Sequence, residues 1–280
     1  MSQQRIAAAG LVCWLALSLW ATPVAAHQVW IEMATPGSPG QEQVAHICWG
    51  HSGQRVSGPM LESQKDRLTA WLASPESPIE RLPLTLGADS YTARAVPRQP
   101  GYYTLGAETQ GGIADREFHG IPAGTRIVMS GKTFLHVPGS EAGLERLVGM
   151  DLELVPVGDP KSWRTGGVVT VRVVFKGKPV GGKKAEVSLS TVSPKPLATD
   201  SRVEGLEWSV KNYADPRTGE VSFPLIVGGR HTFFLKYVDE TPGRYDGDLT
   251  MTTKFSHLRK GDAYERTLYM GTLTVQVNAE

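Results

Sequence analysis

Cysteine is nearly absent: the 280-residue sequence holds two, Cys13 and Cys48. Cys13 sits inside an apolar N-terminal stretch, so a chain that loses this stretch keeps one thiol and no internal disulfide, and its stability has to come from a hydrophobic core. Cys48 lies between Ile47 and Trp49, where a single cysteine reads as a small buried hydrophobe rather than a metal ligand. An excess of one charge is also missing, with 29 Lys and Arg against 28 Asp and Glu. That balance argues against polyanion binding, which needs a clear basic excess. No apolar run after residue 26 is long enough to cross a membrane as a helix. The HExxH, paired CxxC, GxSxG and GxxxxGK[ST] motifs do not occur, so the sequence gives no sign of an enzyme. Sustained helical periodicity is lacking too, apart from a turn or two within Ser140 to Val148.

The first 26 residues have a recognisable order. Arg5 is followed by an apolar stretch from Ile6 to Trp20, a helix-breaking Pro23, and the small pair Ala25-Ala26 before His27. This is the pattern of a cleaved export signal, which predicts a periplasmic or secreted protein whose mature chain starts at His27.

Two-residue alternation of β-branched and aromatic residues, punctuated by Gly and Pro, accounts for most of the remainder. Strands are predicted near Val29 to Met33, Val44 to Trp49, Leu68 to Ala73, Tyr91 to Val96 and Tyr102 to Ala107. A second group is predicted near Ile127 to Val137, Leu152 to Val155, Val168 to Phe175, Ala185 to Ser190, Val221 to Val227, Thr232 to Val238 and Leu268 to Val277. In Val168 to Phe175, Val169, Val171, Val173 and Phe175 share one face. The expected fold is all-β, with two tandem Ig-like β-sandwich domains at 27–138 and 150–280, separated by the polar stretch Gly139 to Gly149. Thr191 to Asn212 and Asp239 to Ala263 read as long connections.

Histidine is the residue type that carries candidate chemistry. If cleavage follows Ala26, His27 offers an α-amine and an imidazole that close one chelate ring, a donor set suited to Cu(II) and Ni(II). His46-Ile47-Cys48-Trp49-Gly50-His51 is the other dense point: His51 is expected at a strand end in a glycine-flanked loop, and His46 half-buried on the strand. Met60, after Gly58-Pro59, offers a soft thioether. The expected metal site is therefore His27 and His51, completed by His46, Met60 or water. His119, His136, His231 and His257 stand apart, without a second ligand at metal spacing, and read as structural or solvated.

Several short segments, taken in order, resemble a family of periplasmic proteins of unknown function linked to nickel and cobalt uptake. They are His27-Gln28-Val29-Trp30, Gly50-His51, Pro100-Gly101-Tyr102-Tyr103-Thr104, Gly131-Lys132-Thr133, and Leu152-Glu153-Leu154-Val155-Pro156 with Asp159-Pro160. Lys176-Gly177-Lys178-Pro179-Val180 and Gly271-Thr272-Leu273-Thr274-Val275 complete the series, which runs nearly the length of the chain after residue 26. The resemblance implies export, a two-domain β architecture, no catalysis, and delivery or buffering of Ni(II) or Co(II) for a membrane transporter, with His27 and His51 as the residues carried over. Where some members of that family have histidine directly before methionine, this chain has Pro59-Met60.

Two other functions fit the same sequence. One is a metal-independent module that binds protein or glycan through loop aromatics, with Trp163, Trp208 and Tyr213 as candidates. The other is a copper-binding protein, or a copper enzyme that uses an N-terminal histidine.

Overall fold

The computed structural model describes residues 27–51, 54–192 and 206–278. The predicted export signal and the central part of the 191–212 connection lie outside the described residues. In chain order the first half contains β1 (Gln28–Met33), β2 (Gln43–His51), β3 (Gln54–Arg55), a one-turn helix α1 (Pro59–Glu62), β4 (Leu68–Ala73), β5 (Glu80–Leu82), β6 (Thr85–Leu86) and β7 (Tyr91–Ala95). The long β8 (Gly101–Ala114) and β9 (Thr125–Val137) end it. The second half runs β10 (Leu152–Val157), β11 (Val168–Phe175), β12 (Lys178–Pro179), β13 (Ala185–Val192), β14 (Leu206–Tyr213), β15 (Glu220–Pro224) and β16 (Gly229–Asp239). Short strands β17 (Gly243–Arg244), β18 (Met251–Thr252), β19 (Ser256–Leu258) and β20 (Ala263–Tyr264) lead into β21 (Arg266–Val277).

One ten-stranded sheet forms the middle of the molecule, in the order β14-β13-β16-β21-β9-β8-β19-β18, with β4 and β5 also attached through β8. Alternation sends its side chains to two faces, and each face has its own core. On one face, Leu68, Ala70, Leu72, Tyr103, Leu105, Ile127 and Leu135 pack against Val29, Ile31, Ile47 and Ala93 of a second sheet ordered β1-β2-β7-β6. On the opposite face, Val128, Phe233, Leu235, Tyr269, Leu273 and Val275 pack against Leu152, Leu154, Val169, Val171, Val173 and Phe223 of a third sheet built on β10, β11, β12 and β15. The expected all-β sandwich fold is thus present as two sandwiches that share their central layer. The parallel pairing of β21 with β9, from Arg266 opposite Thr125 to Thr274 opposite Thr133, makes that layer continuous.

Two features hold the outer layers to this sheet. Gly131 on β9 lets β1 cross the sheet at backbone distance: a Cβ there would sit 3.0 Å from the Val29 carbonyl and 3.1 Å from the Trp30 Cα. Beside it, the Thr272 hydroxyl donates to the same Val29 carbonyl. On the other face the Lys132 ammonium meets the Glu153 carboxylate at 2.8 Å, with both side chains 1 % exposed. Glu153 also accepts the backbone N–H groups of Val148, Gly149 and Met150. This carboxylate thereby fastens the inter-sandwich linker to the central sheet and fills its own hydrogen-bonding capacity, the condition under which a buried charge is tolerated.

Several details differ from the sequence expectation. The strand predicted to end at Trp49 continues through His51, because β2 pairs with β1 on one side and β3 folds back onto its end. The long connection at 191–212 contains β14, an edge strand paired with β13 over Glu186 to Val192. The stretch Asp239 to Ala263 is built around a small core of Ile113, Tyr245, Met251 and Leu258 rather than being an open loop. Within Ser140 to Val148 there is a hydrogen-bonded turn, Arg146 N–H to the Gly143 carbonyl, and no helix. Trp163, expected beside a loop and accessible, is 5 % exposed and meets Phe233 edge-on in the second core. Trp208 lies outside the residues whose side chains are described. At the entry to β8 the Tyr103 hydroxyl accepts from the N–H groups of Arg98 and Gln99 and donates to the Gln99 carbonyl, each at 3.0 Å.

Two predictions follow from the packing. Glu153→Ala strands the Lys132 charge and frees three backbone donors, so urea unfolding should show a loss of about 3–5 kcal/mol, the range for removing one partner of a buried pair. A loss under about 1 kcal/mol would show that water reaches this site. Glu108, on β8, is pushed up to about 7 from 4.5 by burial and by the nearby Asp151 charge, against the pull of Arg126. The folded state therefore holds a proton between pH 4.5 and 7 that the unfolded chain has lost. Stability from this group is present at low pH and falls as pH rises through that window, with a slope approaching about 1.4 kcal/mol per unit. Glu108→Gln should flatten the slope, and an unchanged pH profile would refute the assignment.

Candidate functional site

The alternation of β1 and β2 sorts the candidate ligands by face. Val29 pairs with Trp49, Ile31 with Ile47, and these odd-numbered residues meet in the first core. The last β1–β2 pair is Gln28 with Gly50, and the same register carried one step further sets residue 27 across from residue 51. Directly opposed residues in an antiparallel pair have Cβ atoms about 4.5–5.5 Å apart. His27, half-buried, stacks its imidazole on the Trp49 indole with centroids 4.5 Å apart and planes 17° apart. The backbone of residue 51 is fixed by pairing with Gln54, whereas the His51 side chain lies outside the described residues.

Met60 reaches the same end of the sandwich by a different route. Pro59 begins α1 with its fixed φ and no N–H to satisfy, and Leu61 of this turn borders a small void shared with Val29, Ile47 and Trp49. Met60 points away from that core at 51 % exposure.

His46 is on the opposite face and five residues along β2 from His51, a separation of about 16 Å. It is not brought together with His27. Its Nδ1 lies 3.1 Å from the Ser90 hydroxyl, which donates to Asp89, and Asp89 pairs with Arg55 at 3.0 Å. Arg55 also binds Glu32 at 2.7 Å, and Arg230 reaches the same Glu32 oxygen from β16. The remaining Glu32 oxygen accepts from the Trp30 indole at 2.8 Å. Burial works against the charged form of Glu32, but the Trp30 hydrogen bond and the Arg230 and Arg55 charges outweigh it and hold its pKa below the ordinary value. His46 thus ends a polar chain that ties the first sandwich to β16, a role with no local signal in the sequence.

Cys48 shares this second face and is completely buried. Burial pushes its thiol up to about 12. Burial that disfavours the thiolate makes this sulfur a poor nucleophile, in keeping with its reading as a small hydrophobe. The other histidines are engaged locally: His119 meets Phe118 edge-on, His136 packs on Tyr102 and meets the Ser140 carbonyl, His231 meets the Gly229 carbonyl, and His257 pairs with Asp115. Among the described residues, no group of three or more His, Cys, Asp and Glu side chains forms a metal cluster.

The fold defines an all-β protein of two fused sandwiches, with His27 and residue 51 following the last pair of the N-terminal strand pair. Residues 24–239 match a domain of unknown function, DUF4198, and the chain belongs to that family. No functionally curated protein matches the sequence. Among solved structures, a DUF4785 family protein from Legionella pneumophila is similar over 74 % of this chain and 50 % of its own, at 11 % identity and a TM-score of 0.26. The chain spans half the length of that protein. Among the described residues no helix is long and apolar enough to cross a membrane.

A native-state thiol assay tests the account of this strand pair. Cys48 should resist a small maleimide at pH 8 in the folded protein and react fully in urea, because labelling requires the thiolate and access to it. Stoichiometric labelling of the folded protein within minutes would contradict the burial of β2.

Proposed function

We propose that this chain is an exported, non-catalytic metal-binding protein that takes Ni(II) or Co(II) as cargo at the end of the β1–β2 pair and passes it to a membrane transporter. The observation that supports this reading is the β1–β2 register, whose last pair, Gln28 with Gly50, leaves residues 27 and 51 as the next positions at the same strand end. After removal of residues 1–26, His27 contributes its α-amine and imidazole, and His51 a third nitrogen. Such nitrogen sets suit Ni(II), Co(II) and Cu(II), with metal–nitrogen distances of about 2 Å. Stacking on Trp49 engages the flat face of the His27 ring, whereas coordination runs in the ring plane, so the indole orients the imidazole without opposing a metal bond. Met60, exposed at the same end, is a further soft donor, and His46 is left out of the shell on grounds of face and distance. The choice of nickel and cobalt over copper follows the sequence resemblance, because the donor set by itself accepts all three.

The test begins with protein purified from a periplasm, with intact mass fixing the first residue. Calorimetric titration with Ni(II), Co(II) and Cu(II) should give one-to-one binding that weakens at least ~10-fold in His51→Ala and in a variant with one alanine inserted before His27. Absence of binding, or affinity indifferent to both changes, would overturn the reading. A preference for Cu(II) above the usual order for such ligands would move the cargo from nickel and cobalt to copper.

A further inference from the structure

A second site lies on the other side of β2. The parallel pair β9–β21 ends at Thr133 opposite Thr274, and beyond it the two strands part: β9 follows β8 to Val137 while β21 follows β16 to Val277. The gap between them opens into a cleft of about 840 Å³, large enough for an organic ligand. Glu32 and His46 border it from the first sandwich, Arg230 and Gln276 from the central sheet, and Lys161 from the turn after β10. Met33, Ala34, Phe134, Pro138 and Val275 supply apolar wall.

The hydrogen-bonding capacity of these walls points to the ligand's chemistry. The bordering carboxylate, Glu32, already serves Trp30, Arg55 and Arg230. Donor capacity is larger: Arg230 has five N–H groups and meets Glu32 through one nitrogen. Gln276 stands directly across from Arg230 in the β16–β21 register and adds an amide. At the fork the Thr133 hydroxyl donates to the Thr274 carbonyl, while the Thr274 side chain, 3 % exposed and bordering the cleft, has an Oγ1 with no hydrogen-bond partner. A buried hydroxyl left in that state costs about 1–3 kcal/mol. Lys161 is matched by both Asp159 and Glu141, which leaves the Arg230 guanidinium, held by Glu32 through one nitrogen, as the cation with N–H donors to spare.

We infer that the cleft between β9 and β21 is a binding site for a small organic carboxylate with an apolar body, its carboxylate on Arg230 and Gln276 and its body against Met33, Phe134 and Val275. The planar fork of arginine matches a carboxylate in two parallel hydrogen bonds. This site is separate from the one at residues 27 and 51, lying on the opposite face of β2, and does not depend on metal.

The test uses chelator-treated, metal-free protein and three probes of equal chain length: hexanoate, hexylammonium and 1-hexanol. Amide resonances around the fork should shift with hexanoate and not with hexylammonium, with 1-hexanol weaker by ~10-fold or more. Arg230→Gln should weaken hexanoate at least ~10-fold while leaving Glu32 paired with Arg55. Because Arg230→Gln also loosens a structural ion pair, Ala34→Trp provides the second variant: Ala34 is exposed at the cleft, and the indole should block hexanoate with the circular dichroism and melting temperature unchanged. Equal binding of hexanoate and hexylammonium, hexanoate affinity unaffected by Ala34→Trp, or no shift at the fork at millimolar hexanoate would each refute the site.

Discussion

The parallel pairing of β9 with β21 is the constraint on which the rest of the molecule depends. It joins strands more than 130 residues apart in the chain and turns what would be two separate sandwiches into three layers with a common middle. Because alternation gives the middle sheet two apolar faces, both outer sheets bury their own apolar face against it, and neither core is complete without it. Lys132 and Gly131 are consecutive residues of β9 that serve opposite faces. The glycine lets β1 cross on one side, and the lysine anchors Glu153 and the linker on the other.

Much of this was legible in the sequence wherever the signal was local. The twofold alternation of Val169, Val171 and Val173 fixed both the strand and its buried face, and β4 was read with its observed limits, Leu68–Ala73. β14 was passed over although Leu206, Trp208 and Val210 alternate, because polar residues and prolines precede them and the strand is held through β13 alone. The burial of Lys132 had no local signal at all. Strand alternation assigns Lys132 a face but not its burial, and only the arrival of Glu153 from the next sandwich makes an interior lysine tolerable.

The histidines divide in the same way. That His46 and Cys48 share a face follows from strand alternation and needed no structure. That residues 27 and 51 follow the last paired positions, Gln28 and Gly50, depends on the register of a pair joined by a nine-residue connection, which the sequence does not encode in any short motif. The cleft is still less visible beforehand, since its walls come from β1, β2, β9, β16 and β21 and its existence from two strands ceasing to pair. Trp163 shows the converse risk: an aromatic flanked by Ser162 and Arg164 looked accessible, and it is a core residue.

The central place of β21 also orders events in time. Residues 266–277 must have left the ribosome before the middle sheet can close, so until then β9 and β16 each wait with one edge unpaired. Long-range pairing of this kind forms slowly, because the loop-closure entropy must be met before the contacts repay it. A nascent chain of this design leaves the edge of β9 open until β21 has been made, and it depends in that interval on whatever keeps exposed strands from pairing with the wrong neighbours.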